Sequence, residues 1–111
     1  LCAPSVAPGF ESLRATGRPA ARPRDGGGTF DLHWEGALYA APDVVGVTSW
    51  NEWHEGTQIE PARPRQCLPG GGWCYLDYNG AYGRTGQDAP RAYVERTAHW
   101  VRQIRTDASE R

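Results

Sequence analysis

The run of residues 44–50, Val-Val-Gly-Val-Thr-Ser-Trp, restricts the fold of this chain more than any other feature. It is almost entirely apolar or small, and several of its residues are β-branched. A strand with one face in water would alternate apolar and polar residues, whereas an unbroken run is typical of a parallel strand covered on both faces. The run therefore predicts a buried parallel strand that requires further strands and helices around it.

Two segments that flank this strand have helical periodicity. Residues 30–41 predict one helix, capped by Thr29 and ended by Pro42. Its apolar face is expected to contain Phe30, Trp34, Ala37, Leu38 and Ala41. Residues 89–106 predict a second helix, with Asp88 as its cap and Pro90 in its first turn. Its apolar face is expected to contain Val94, Thr97, Ala98, Val101 and Ile104.

The other segments lack a sustained period. Residues 1–28 predict a strand end and then a long loop, because Pro and Gly interrupt regular structure over most of their length. We expect the arginines of this loop to be solvated: Arg14, Arg18, Arg22 and Arg24. The alternative is that one of them reaches an acidic or hydroxyl group in the cleft. Residues 51–88 predict a second long connection, and such connections inside a domain are usually functional or poorly ordered.

The order of these elements corresponds to about two consecutive β/α units. Two units cannot close a sheet, and a (β/α)8 barrel typically needs about 250 residues. The sequence therefore predicts an α/β fold in which residues 1–111 form the C-terminal fragment of a (β/α)8 TIM-type barrel. The remainder of that barrel is then an expected partner. The chain has no Met, which also predicts a piece of a longer protein.

Composition argues against several classes of partner. The 111 residues carry a net charge of −1, so nothing favours binding to nucleic acid or to an anionic membrane. The sequence has no apolar run near the roughly 18 residues that a membrane span requires.

The cysteines Cys67 and Cys74 flank the turn-prone segment Leu-Pro-Gly-Gly-Gly-Trp. That segment can bring the two thiols together, and a disulfide would indicate an oxidising compartment, hence a secreted or cell-envelope protein. The alternative is a pair of free thiols in a cytosolic protein.

Glu52 and Glu55 follow directly after the predicted strand. In a β/α barrel the loops after strand C-termini build the active site, and two carboxylates three residues apart face one cleft if the loop makes about one helical turn. Glycoside cleavage needs a carboxylic acid to protonate the leaving oxygen and a second carboxylate near the reacting carbon. Four neighbouring side chains are candidates for sugar contacts, as stacking faces or hydrogen-bonding groups: Trp50, Asn51, Trp53 and His54.

Two other interpretations of the same residues stay open. A Glu-x-x-Glu pair also occurs on many solvated helices. A metal site built from Glu52, His54 and Glu60 is the other alternative, although the second His of a zincin helix is missing. We expect no metal and no cofactor.

Residues 49–61, Ser-Trp-Asn-Glu-Trp-His-Glu-Gly-Thr-Gln-Ile-Glu-Pro, strongly resemble the signature of glycoside hydrolase family 99, the endo-α-mannosidases and endo-α-1,2-mannanases. Residues 4–10, Pro-Ser-Val-Ala-Pro-Gly-Phe, resemble that family's Pro-Ser-Val-Gly-Pro-Gly-Tyr loop. Residues 75–78 and the terminal helix with Tyr93 and Trp100 match its closing region. The resemblance covers nearly the whole chain and implies a (β/α)8 barrel.

The resemblance also implies an activity, namely retaining, endo-acting cleavage of α-mannosidic bonds in an oligo- or polysaccharide. Glu52 would deprotonate the substrate 2-hydroxyl, which attacks the anomeric carbon to form a 1,2-anhydro sugar. Glu55 would be the general acid and then the base for water. We also expect Tyr78 to contact the substrate at the edge of the site.

One departure concerns the substrate. Many family members have Arg-Pro-Trp-Asn where this chain has Arg18-Pro19-Ala20-Ala21. A related barrel enzyme that acts on another polysaccharide and a non-catalytic carbohydrate-binding homologue are therefore the alternatives. We expect the isolated 111-residue piece to be inactive.

Overall fold

A short parallel strand pair and two helices form the framework. The computed structural model describes residues 1–63, 65 and 67–110. Strand β1 (Ser5–Val6) pairs in parallel with β4 (Gly46–Val47), with Ser5 opposite Gly46 and Val6 opposite Val47. Helix α2 (Gly28–Tyr39) lies between them in the chain. This arrangement is a β-α-β unit, as the predicted α/β fold requires.

The predicted strand at 44–50 is shorter and more exposed than expected. Only Gly46–Val47 is in strand geometry, and Val44 and Trp50 are 57% and 53% exposed. Within the described part of the chain, β1 is the only strand that pairs with β4, so the other edge of β4 has no partner. The prediction of a parallel strand is confirmed, and its exposure within this chain agrees with the expectation that further strands and helices are required around it.

Helix α2 confirms the predicted helix, with a different cap. Its buried residues are Thr29, Phe30, Trp34 and Ala37. Gly27, not Thr29, is the N-cap, with φ of 103°. Thr29 lies inside the first turn, where its hydroxyl donates to the carbonyl of Pro23 at 2.6 Å. A Cβ at Gly27 would approach the Tyr82 ring to 2.4 Å, so glycine is needed here for space as well as for φ.

The loop before α2 contains more structure than the sequence predicts. Strands β2 (Phe10–Glu11) and β3 (Ala21–Arg22) form an antiparallel pair around the short helix α1 (Leu13–Thr16). The Ser12 hydroxyl donates to the carbonyl of Arg18 at 2.7 Å, and it also lies close to the backbone of Ala20. Such contacts between side chains and the backbone leave no hydrophobic periodicity in the sequence. For that reason most of residues 1–28 was predicted to be an irregular loop.

Helix α3 (Ala92–Glu110) confirms the second predicted helix, but its buried face is rotated. Ala92, Tyr93 and Trp100 are buried, whereas Ala98 is exposed and Val94, Thr97, Val101 and Ile104 are only half-buried. Trp100 stacks on Trp34, with ring centroids 6.2 Å apart and an interplanar angle of 7°. Asp88 does not cap this helix, because it ends a separate 3-10 turn at Gly86–Asp88.

The long connection predicted over residues 51–88 is confirmed, and it runs on to residue 91. It has two 3-10 turns, Ala81–Gly83 and Gly86–Asp88, and a disulfide between Cys67 and Cys74. In the described residues, no helix is both long and apolar enough to cross a membrane.

Candidate active site

The backbone after β4 folds back on itself around the two glutamates. The N–H of Ser49 donates to the carbonyl of Thr57 at 2.8 Å, and the N–H of Glu60 donates to the carbonyl of Trp50 at 3.0 Å. The side chains of Ser49 and Thr57 reinforce the contact between these two residues, because their hydroxyls are 2.7 Å apart. Residues 50–56 are thus held as one closed turn, which we call the glutamate turn.

Gly56 ends the glutamate turn under two constraints. Its φ is +69°, which favours glycine, and a Cβ would lie 3.2 Å from the backbone nitrogen of Glu11. The N–H of Gly56 donates to the carbonyl of Trp53 at 3.2 Å, which closes a single turn over residues 53–56. A larger residue here would push the turn away from β2.

The backbones of Glu52 and Glu55 are anchored while both residues are exposed. The N–H of Glu52 donates to the Ser49 hydroxyl at 3.0 Å, and the carbonyl of Glu52 accepts the N–H of Thr57 at 3.3 Å. The carbonyl of Glu55 accepts the N–H of Glu11 at 2.7 Å. Both carboxylates therefore come from one fixed backbone turn and remain open to a ligand.

The residues predicted to contact sugar lie around the same turn. Trp50 and Asn51 are exposed. Trp53 is half-buried and its indole N–H donates to the carboxylate of Glu60. Nδ1 of His54 lies 3.1 Å from the Tyr75 hydroxyl. These contacts fix the orientation of two of the four side chains, Trp53 and His54. Preorganised binding requires side chains that are fixed in this way.

Tyr78 differs from its predicted role. It is only 2% exposed, and its hydroxyl contacts the carbonyls of Gln58 and Glu60 at 3.1 and 2.7 Å. Burial raises the pKa of its phenol well above the usual value. Tyr78 is therefore a neutral packing residue beneath the segment that follows the glutamates, and its hydroxyl is already occupied.

Arg24 contacts the backbone at the end of the glutamate turn, a role that the sequence did not assign to it. One of its terminal nitrogens donates to the carbonyls of Gly56 and Gln58, at 2.9 and 2.7 Å. Its guanidinium lies 5.1 and 4.6 Å from the ring centroids of Tyr78 and Tyr93. These contacts hold the guanidinium against other parts of the chain, so the prediction that Arg24 is solvated is wrong. The two carbonyls belong to residues more than thirty positions further along the sequence.

Arg14 is likewise packed rather than solvated. Its side chain is only 11% exposed and lies 3.6 Å from the carboxylate of Glu11. The guanidinium carbon is 4.3 Å from the Trp73 ring centroid. Trp73 precedes Cys74, so the disulfide loop carries an aromatic ring toward the glutamate turn.

The metal interpretation finds no arrangement to support it. Within the part of the chain that the structure describes, no three His, Cys, Asp or Glu side chains gather as a metal site would require. The carboxylate of Glu60 is engaged with the Trp53 indole.

A cavity of about 420 Å³ lies along α3, and its lining includes none of residues 50–60.

Comparison with known proteins decides the family. The family model described as glycosyl hydrolase family 99 matches residues 1–106. The chain belongs to this family. Helix α2, most of α3, the β-α-β unit and the glutamate turn lie inside the matched range, so the match does not depend on one motif.

Two curated relatives agree with the assignment to family 99. The human glycoprotein endo-alpha-1,2-mannosidase-like protein is 37% identical over 100 residues, which are 88% of this chain and 20% of that protein. The rat glycoprotein endo-alpha-1,2-mannosidase is 36% identical over 99 residues, 87% of this chain and 19% of that protein. The chain thus spans about a fifth of the length of these curated relatives.

Solved structures give the same result. The GH99 endo-alpha-mannosidase from Bacteroides thetaiotaomicron, in complex with bis-tris-propane, superposes with a TM-score of 0.82 at 35% identity. The match covers 98% of this chain and 31% of that one. The chain is therefore a mixed α/β unit that corresponds to about a third of a family 99 structure.

Proposed function

We propose that residues 1–111 form the C-terminal part of the catalytic domain of an endo-acting, retaining glycoside hydrolase that cleaves α-mannosidic linkages. The observation that carries the proposal is the glutamate turn, in which Glu52 and Glu55 are both exposed on one anchored backbone turn after β4. The names of the relatives, endo-alpha-1,2-mannosidases, support α-mannosides as the substrate class.

The two glutamates have different roles in this proposal. Glu52 takes the proton of the substrate 2-hydroxyl, and that oxygen forms a bond to the anomeric carbon as the glycosidic bond breaks. Glu55 gives its proton to the leaving oxygen. Glu55 then takes a proton from a water molecule, and the water oxygen bonds to the anomeric carbon as the bond from that carbon to O2 breaks. Glu52 returns its proton to O2, which opens the 1,2-anhydro sugar with overall retention. Such a division fits two carboxylates on one turn, because each needs access to a different atom of the same sugar ring.

The rest of the site would come from the rest of the barrel. Both glutamates and Trp50 are exposed here, whereas a glycosidase encloses its reacting sugar within a cleft. We therefore propose that a longer protein supplies the remaining strands of a (β/α)8 barrel beside the free edge of β4. We call that longer protein the intact enzyme.

The disulfide supports a proposal about the compartment. A bond between Cys67 and Cys74 persists in oxidising surroundings and is rare in the cytosol. We propose a secreted or cell-envelope enzyme that meets its glycan outside the cytoplasm.

The substrate proposal is tested with the intact enzyme and a panel of polysaccharides. We expect new reducing ends from α-mannans and none from β-mannan, α-glucan or xylan. Release from another polysaccharide alone would favour a related barrel enzyme of different specificity. Binding to α-mannan without new reducing ends would favour a carbohydrate-binding homologue, and either result would contradict the proposal.

A further inference from the structure

Tyr75 joins the disulfide loop to the glutamate turn. It comes directly after that loop and is half-buried. Its ring packs edge-on against Trp53, with centroids 5.7 Å apart and an interplanar angle of 75°, and its hydroxyl oxygen lies 3.1 Å from Nδ1 of His54. Trp53 and His54 are the two residues that separate Glu52 from Glu55. One tyrosine therefore contacts both residues between the two glutamates.

The orientation of the His54 ring depends on Tyr75. Among the side chains that the structure describes, Tyr75 provides the only hydrogen bond to this ring. A neutral imidazole has one nitrogen that donates and one that accepts, and the bond made by one nitrogen decides which of them carries the proton. A hydroxyl that donates to Nδ1 leaves the proton on Nε2 and holds the ring in one rotation. Because His54 is bonded to Glu55, a movement of His54 also moves the residue that we propose as the acid.

Trp53 is held between Tyr75 and a second partner. Its indole N–H donates to the carboxylate of Glu60, and the N–H of Glu60 donates to the carbonyl of Trp50 at 3.0 Å. Loss of the Tyr75 ring would remove one side of this packing, while the contact with Glu60 remains. The ring and the hydroxyl of Tyr75 therefore support different residues of the turn.

Tyr75 is itself fixed by groups outside the glutamate turn. The Trp73 ring packs edge-on against it, with centroids 5.1 Å apart, and the Arg14 guanidinium lies 5.7 Å from its ring centroid. The carbonyl of Trp73 accepts the N–H of Leu68 at 3.1 Å, across a loop that the disulfide closes. Reacting groups keep their geometry when the residues that support them are locked by packing and hydrogen bonds of this kind.

We propose that Tyr75 is a positioning residue for Glu52 and Glu55, which acts through His54 and Trp53 and not on the reacting atoms. The inference rests on the proposed glycosidase function and adds to it a residue that governs turnover. Removal of the Tyr75 hydroxyl should lower kcat more than it changes KM, because it alters the placement of the carboxylates. A misplacement of about 1 Å can cost about 100-fold in rate.

The test is a double-mutant cycle between Tyr75 and His54 in the intact enzyme. We expect Tyr75→Phe to lower kcat on an α-mannan oligosaccharide about tenfold, with KM changed less than about twofold. In the His54→Ala background the same change should have little effect, because the residue through which the hydroxyl acts is gone. Tyr75→Ala should lose more, since it also removes the ring that packs on Trp53. Tyr39→Phe, at a tyrosine of α2 that is 95% exposed, is the matched control and should keep wild-type kinetics.

A spectroscopic measurement covers the case in which His54→Ala has no measurable turnover. In enzyme with isotope-labelled histidine, the imidazole nitrogen resonances of His54 should shift in Tyr75→Phe, because Nδ1 loses its donor. Unmoved resonances would overturn this inference alone. An active wild type would overturn it as well if folded Tyr75→Phe kept its kcat, or if the loss were equal with and without His54. A wild type with no activity on any α-mannan would instead overturn the proposed function.

Discussion

Arg24 links the loop before α2 to the backbone that carries the glutamates. Its donation to the carbonyls of Gly56 and Gln58 fixes the residues directly after Glu55. The guanidinium is a better donor than a neutral group, and charge-assisted hydrogen bonds are roughly twice as strong as neutral ones. A shift of the turn by about 1 Å would be enough to lower turnover strongly.

We therefore expect Arg24→Ala to lower kcat of the intact enzyme by roughly 10- to 100-fold while KM changes less. Arg24→Lys should recover part of the loss, because an ammonium can donate to both carbonyls. Steady-state kinetics with an α-mannan oligosaccharide measures this. Arg22→Ala, an exposed arginine of the same loop, is the control, and equal kinetics for the two alanine variants would contradict the role of Arg24.

The positions of individual residues were predictable where their backbone contacts are local in sequence. Glu52 and Glu55 stand beside a recognisable strand and in a family motif, so their position at one turn followed from spacing. Arg24 and Arg14 also contact residues between 32 and 69 positions away in the sequence. A lone arginine in an irregular segment gives no periodic signal, so such partners cannot be read from the sequence.

At the level of elements, Asp31 joins α2 to α3. Its carboxylate accepts two hydrogen bonds from Arg96, at 2.9 and 2.6 Å, and one from the indole N–H of Trp100 at 2.9 Å. Burial by itself would raise the pKa of this carboxyl. The hydrogen bonds from Arg96, Trp100 and Tyr82 outweigh that effect and hold the pKa below its usual 3.8.

This network predicts a pH-dependent contribution to stability. Because the folded pKa of Asp31 is below the unfolded value, the contribution is complete above about pH 4 and disappears as the pH falls through the folded pKa. Asp31→Asn should lower the free energy of unfolding of the intact enzyme by about 2 kcal/mol at neutral pH.

Urea unfolding from neutral to acidic pH measures the effect of Asp31→Asn. The difference between wild type and variant should shrink in acid. Glu35→Gln, an exposed change on the same helix, should leave the curve unchanged. A constant difference between Asp31→Asn and wild type at every pH would contradict the ionised network.

The same network explains why one helix face was mispredicted. A count of aliphatic residues along α3 favours Val94, Val101 and Ile104, whereas the helix buries Tyr93 and Trp100 against α2. The large aromatic rings bury more area, and Asp31 draws Arg96 and Trp100 toward α2. Periodicity located both helices because it depends on the helix itself, but the orientation of α3 depends on a partner in another element.

At the level of the whole molecule, the chain is less closely packed than an independent domain. Its radius of gyration is 15.0 Å, and about 13 Å is expected for a compact domain of this length. Several large apolar residues are half or more exposed: Leu1, Leu13, Leu32, Tyr39, Val44 and Trp50. These features support the proposal that other parts of a barrel pack against this chain.

We expect the isolated 111-residue chain to release no reducing ends from α-mannan, even at enzyme concentrations far above those needed for the intact enzyme. The reason is that Glu52 and Glu55 lie open to water without the remaining walls of a cleft. Unpaired strand edges should also make the chain prone to association, which light scattering would detect. Turnover by a monomeric isolated chain would contradict the proposal.

The central claim is that Glu55 is the acid of an α-mannan-cleaving enzyme, and turnover of Glu55→Gln in the intact enzyme tests it most directly. An amide of the same shape cannot give a proton to the leaving oxygen, and general acid catalysis contributes about 100-fold or more. We predict at least that loss on an unactivated α-mannoside, with Glu35→Gln at wild-type activity. Near wild-type turnover by Glu55→Gln would contradict the claim.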